Sequence, residues 1–181
     1  HVLAEFHRRG ISVTATRTGR RDAAADLPGV RWVSLDIHDR RQDAWELLDR
    51  PDILLHLAWG GLPNYRSAAH FAVELPAQYA FLAGLIERGL SKLVVAGTCL
   101  EYGMQSGPLC ADLETRPSTA YGLAKDSLRR QLQFLREMHP FRFSWARLFY
   151  VFGEGQSAAS LYSQLSAAVE NGNETFPMSH G

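Results

Sequence analysis

The chain has 181 residues, 46% of them hydrophobic and 21% charged, with a formal net charge of zero at pH 7. That is the composition of an ordinary globular domain, and it carries no electrostatic footprint for nucleic acid or a membrane surface. No apolar run approaches the roughly 20 residues that span a bilayer, no signal peptide is visible, and Cys99 and Cys110 lack metal-ligand spacing and read as free thiols of a reducing cytoplasm.

The chain opens inside a helix, since Val2, Leu3 and Phe6 keep helical spacing before Gly10 ends it. Ile11–Arg17 is a strand rich in β-branched residues, and Val30–Leu35 is a second. A helical pattern lies near 40–49. Ile53–Leu57 is a third strand, wholly apolar and so expected to be buried on both faces. A long helix follows at 67–88, then a strand at Leu93–Ala96. Ala120–Met138 is a helix with Leu123, Leu128, Leu132 and Leu135 as its apolar stripe, stopped by Pro140. Phe141–Phe149 is the fifth strand, and Ser157–Asn171 begins another helix. The ending at Met178-Ser179-His180-Gly181 completes no element, so the pattern predicts a piece of a longer fold.

Strands alternating with helices imply a doubly wound parallel sheet, α/β in class. Ligands of such sheets bind beyond the C-terminal strand ends. Three of those ends carry glycines or polar groups: His56-Leu57-Ala58-Trp59-Gly60-Gly61, Gly97-Thr98-Cys99-Leu100-Glu101-Tyr102-Gly103, and Arg147 through Gln156. Tyr121 and Lys125 stand one helical turn apart, on a shared face. Lys125 is one of only two lysines against 17 arginines, so a compact ammonium is singled out there. A positive charge beside a tyrosine lowers the hydroxyl's pKa from about 10, which suits proton transfer with an alcohol or ketone.

With these motifs the sequence resembles the extended short-chain dehydrogenase/reductase family of nucleotide-sugar epimerases, dehydratases and reductases. The resemblance implies a Rossmann-like fold, with a dinucleotide-binding domain over 1–156 and the start of a substrate-binding domain over 157–181. It also implies that the first strand with its glycine loop, and most of the substrate domain, lie outside the 181 residues. The family's catalytic threonine, tyrosine and lysine map to Thr98, Tyr121 and Lys125. Cofactor contacts map to Arg17, Asp36, Ile37, Leu57, Ala58, Trp59, Tyr121, Lys125 and Phe149, and substrate contacts to Thr98, Cys99, Leu100 and Tyr150. No metal is implied. A homodimer through the helices at 67–88 and 120–138 is the family's habit.

The second strand of the full fold ends in Ala15-Thr16-Arg17-Thr18-Gly19-Arg20, without the carboxylate that NAD-preferring members place there. Arg17 suits a 2′-phosphate, so NADP is expected, with NAD as the alternative. Sugar 4,6-dehydratases of the family follow the threonine with Asp-Glu, where this chain has Cys99 and Leu100; that reaction is disfavoured. Three readings remain: a reductase of a dTDP- or CDP-linked 4-keto-6-deoxy sugar for surface polysaccharides, a nucleotide-sugar 4-epimerase, or a dinucleotide-binding protein without activity. Two departures stand out: Glu74 and Tyr150 occupy places where members often carry asparagine.

Overall fold

A computed structural model describes residues 1–18, 27–153 and 155–178. Gly19, Arg20, Glu154, Ser179, His180 and Gly181, which belong to segments singled out above, lie outside these. The elements run α1 (Val2–Arg8), β1 (Val13–Arg17), β2 (Val30–Ser34), α2 (Ala44–Leu47), β3 (Ile53–His56), α3 (Leu75–Glu87), β4 (Lys92–Thr98), α4 (Ala120–Met138), β5 (Arg142–Leu148) and α5 (Leu161–Glu170). β1 and β2 pair in parallel, with Val13 opposite Val30 and Arg17 opposite Ser34. A second sheet has the order β3-β4-β5, and β3 pairs with β4 in parallel from Ile53 opposite Lys92 to His56 opposite Val95. Parallel strands joined through helices make this a Rossmann-like α/β fold.

The core gathers Val33 and Leu35 near β2, Leu82, Leu85 and Ile86 of α3, Leu93 and Val95 of β4, and Leu128, Leu132 and Leu135 of α4. Each buried leucine contributes roughly 1.5–3 kcal/mol. In α4 the three leucines fall at i, i+4 and i+7, so one stripe faces inward. Leu123, expected to extend that stripe, is instead 47% exposed. Thr119 starts the helix, its hydroxyl accepting the Gly122 N–H at 3.0 Å.

Three expectations need correction. β3 is not buried on both faces: Ile53 is 58% exposed, because β3 is the edge of its sheet among the described residues. The helix near 40–49 is a single turn, Ala44–Leu47, capped by the Asp43 carboxylate on the Glu46 N–H. The helix at 67–88 opens as a π-helical turn, His70–Glu74, before α3 begins. Pro76 has no N–H to give and its ring crowds the carbonyl one turn back, so a wider turn precedes it.

The chain divides into two compact units, His1–Arg147 and Leu148–Gly181. In the second, Ser160 caps α5 through the Ser163 N–H, and the Phe152 and Tyr162 rings stack with centroids 5.3 Å apart.

Candidate active site

β4 ends at Thr98 and turns at once into a 3-10 helix, Cys99–Glu101. The Thr98 hydroxyl accepts the Leu100 N–H at 3.3 Å, and the Glu101 carboxylate accepts the Thr98 N–H at 2.8 Å. This reciprocal cap fixes Thr98. The N-terminus of α4 lies directly on the turn: a Cβ on Gly122 would sit 2.6 Å from the Leu100 carbonyl oxygen. Gly122 therefore brings its neighbour Tyr121 against the Thr98 turn. Cys99 and Leu100, expected to touch substrate, are half-buried beside it.

Tyr121 and Lys125 are both buried, Lys125 to 2% exposure. Trp59, beyond the end of β3, ties them together. Lys125 Nζ lies 4.4 Å from the Trp59 ring centroid, and the Tyr121 ring meets the same indole edge-on at 5.8 Å. Trp59 is held in turn, since its Nε1–H donates to His70 Nδ1 at 3.1 Å. His70 Nε2 donates to the Asn64 carbonyl at 2.8 Å, an oxygen that can only accept. Both imidazole nitrogens are thus engaged, and His70 is a neutral strut. Tyr65 and His70 pack edge-on against Tyr121, at 5.6 and 5.3 Å. Among the described residues the Lys125 ammonium forms no ion pair, and the Tyr121 hydroxyl has no hydrogen-bond partner. Both therefore keep hydrogen-bonding capacity for a ligand.

The expected depression of the tyrosine's pKa does not occur in the chain by itself. Burial pushes the Tyr121 hydroxyl up to about 12, with Tyr65, Glu101 and Cys99 adding to the rise. Burial likewise pulls Lys125 down to about 8, against the pull of Glu101 in the other direction. At Lys125 desolvation outweighs the opposing charge, whereas at Tyr121 burial and the neighbouring charges act in the same direction.

The remaining predicted residues are spread more widely. Arg17 ends β1 with its guanidinium 5.2 Å above the Trp32 ring. The Asp36 carboxylate accepts the His38 N–H at 2.9 Å, closing its own turn. Asp36 and Ile37 line a cleft of about 420 Å³ with Trp45, Phe81 and Arg88, to which Thr98, Tyr121 and Lys125 do not contribute. Leu57 and Ala58 are exposed beyond β3. Phe149 and Tyr150 belong to the second unit and are exposed, Tyr150 to 89%.

Two further residues, Glu74 of the π-helical turn and His56 at the end of β3, carry more than their sequence announced. Glu74 is buried and accepts the Gly60 N–H at 3.1 Å and the Gln78 amide at 3.2 Å, with His38 Nε2 at 3.3 Å. A Cβ on Gly60 would lie 2.4 Å from that carboxylate, so any larger residue there would displace the Glu74 side chain. His56 is buried with Nε2 2.6 Å from Gln78 Oε1, and burial lowers its pKa to about 4. The departure from asparagine at Glu74 was the one available signal for this network.

A family model described as the NAD dependent epimerase/dehydratase family matches residues 1–181. The chain is 28% identical over 183 aligned residues to a dTDP-6-deoxy-L-talose 4-dehydrogenase (NAD(+)) of Aggregatibacter actinomycetemcomitans, an alignment covering all of this chain and 67% of that one. Among solved structures it is similar to MoeE5 in complex with UDP-glucose and NAD, with a TM-score of 0.73, 25% identity, and coverage of 96% of this chain and 57% of that one. It also shares the fold of a UDP-glucose 4-epimerase of Thermotoga maritima, with a TM-score of 0.81, 19% identity, and coverage of all of this chain and 62% of that one. The chain thus spans less than two thirds of the length of these two solved structures. With the whole chain matched by one family model, the chain belongs to the NAD-dependent epimerase/dehydratase family.

Proposed function

We propose that this chain is the cofactor-binding and catalytic part of an oxidoreductase acting at C4 of a nucleotide-linked 4-keto-6-deoxy sugar. The observation that carries the reading is the pair of unspent groups on α4, Tyr121 and Lys125, set against the Thr98 turn. The 28% identical relative, named as a 4-dehydrogenase, supports it. The donor set fits a nicotinamide dinucleotide: a buried ammonium with its N–H groups unspent suits the vicinal hydroxyls of a ribose. When bound, the dinucleotide supplies or takes the hydride.

The chain's own groups do the rest. Thr98 Oγ already accepts the Leu100 N–H, so its hydroxyl proton is available to orient the sugar's C4 oxygen. Tyr121, held up to about 12, is a neutral phenol at pH 7 and can give its proton to that oxygen as a ketone becomes an alcohol. Lys125 carries its charge below about pH 8 and holds the dinucleotide in register. Arg17, with no carboxylate in its segment, supports NADP(H), whereas the relative's name specifies NAD(+). A homodimer belongs to the same reading, supported by Leu123, Phe134 and Met138 exposed on α4. So does a cytoplasmic setting, supported by two free thiols.

The test is to give the full-length protein a dTDP-linked 4-keto-6-deoxy sugar and follow loss of NADPH and NADH separately. Stoichiometric consumption that Tyr121→Phe abolishes, with dinucleotide affinity kept, is the expected result. Faster loss of NADH would overturn the NADP preference. Interconversion of two C4 epimers without net cofactor loss would overturn the reductase.

A further inference from the structure

A second charged assembly lies behind the site, and the catalytic reading leaves it unused. Glu101 is fully buried. One carboxylate oxygen accepts the Thr98 N–H at 2.8 Å, and the other accepts Arg147 Nε at 2.6 Å. The Trp145 indole N–H lies 2.9 and 3.0 Å from the two oxygens. Arg147 is itself spent, donating to the Tyr102 hydroxyl and the Ala111 carbonyl, each at 3.0 Å. The same indole also neighbours the active site, with Lys125 Nζ 5.7 Å from the Trp145 centroid. Gly97 makes the stacking possible, because a Cβ there would come 2.7 Å from the Glu101 carboxylate and would also strike the indole nitrogen.

A buried ion pair is by itself weak evidence of anything, since desolvation cancels much of its attraction. Two features of this one go further. Its carboxylate holds the backbone of Thr98, and both that carboxylate and Lys125 lie against the Trp145 indole. We propose that Glu101 is a positioning residue of the reaction, fixing Thr98 through its backbone N–H and supplying, beside Trp145, the buried negative charge that keeps Lys125 an ammonium. This rests on the catalytic reading given above.

The other groups around Lys125 do not supply that charge. His56 on β3 is neutral and Tyr121 is a neutral phenol. His70 has both nitrogens engaged, and Asp126, next on α4, is held by Arg129, Arg130 and Thr115. Tyr65 and Cys99 border the tyrosine rather than the lysine. Glu101 is also the charge that raises the Lys125 pKa against burial.

In the full-length protein, lysine labelled with ¹³C at Cε, with signals assigned by Lys125→Arg and Lys92→Arg, lets Lys125 be titrated with exposed Lys92 as reference. Glu101→Gln keeps the shape and an acceptor for the Thr98 N–H while removing the charge. The expected result is a Lys125 midpoint that falls below its wild-type value with Lys92 unmoved, and a loss of about tenfold or more in kcat/KM at pH 8. An unchanged Lys125 midpoint overturns the proposal, whatever happens to stability. Should Glu101→Gln fail to fold around an unpaired guanidinium, Glu101→Gln with Arg147→Met removes both charges, and the Lys125 midpoint must still fall. The titration needs no substrate, so a shifted Lys125 in a protein that does not reduce the sugar would sink the reductase and leave the electrostatic role of Glu101 standing.

Discussion

A histidine sealed into a strand end carries a cost that shows only in acid. Gln78 Oε1 can only accept, so His56 donates from Nε2, and burial leaves the ring neutral at pH 7. Its pKa falls from the ordinary 6.5 to about 4, mainly through burial, with the Lys125 charge adding to the fall. Between those two values the unfolded chain binds the proton and the folded chain does not. Stability therefore rises with pH across that window and is lost as pH falls from about 6.5 through 4. The shift is worth about 3 kcal/mol at most. Urea unfolding of the wild type should weaken steeply over this range, and His56→Asn should flatten the slope while lowering stability at pH 7. An equal slope in both proteins would show that other groups carry the acid sensitivity.

Glycines that join elements carry the geometry of the site. Gly122 sits in the first turn of α4, where alanine would ordinarily improve a helix by roughly 1 kcal/mol. Here the added methyl would meet the Leu100 carbonyl at 2.6 Å, a backbone atom that cannot swing aside. Gly122→Ala should cost about 1–3 kcal/mol and move Tyr121 away from Thr98, so that kcat falls with it. Gly84, in α3 with nothing within 4 Å of its missing Cβ, is the matched control and should gain stability when made alanine. Thermal unfolding of both variants checks the pair; a stabilised Gly122→Ala would mean that α4 does not bear on the turn.

The same elements show what sequence could reveal. α4 was legible because its leucines repeat with helical period, and β1 and β2 because β-branched residues cluster there. The tyrosine and lysine were legible because four residues of spacing fix a shared helical face. The π-helical turn at His70–Glu74 was not, since periodicity blurs where the hydrogen-bond register changes. The role of Glu101 was not legible, because its partners Trp145 and Arg147 lie 44 and 46 residues on, brought together by β4 and β5. The pKa of Tyr121 was misjudged because spacing reveals a neighbouring charge but not the rings that exclude water.

At the scale of the whole chain, the balance of charge and the open edge of a sheet act together. The 19 basic and 19 acidic residues cancel, leaving no net repulsion between copies at neutral pH. Among the described residues β3 has an unpaired edge, with Ile53 58% and Leu57 51% exposed, a template for strand pairing between copies of the 181-residue chain. Ile53 stands opposite Lys92 in the parallel register, so a carboxylate at position 53 would lie beside an ammonium. Ile53→Glu changes the net charge from zero to −1, removes exposed apolar surface and sets a charge on the edge. With so little of Ile53 buried, stability should change by only about 0.5 kcal/mol. Light scattering of the 181-residue chain at pH 7 should show slower aggregation for Ile53→Glu than for the wild type, with the same thermal midpoint. Equal aggregation rates would move the sticky surface away from β3, and the exposed Phe134 and Met138 of α4 would be the next place to substitute.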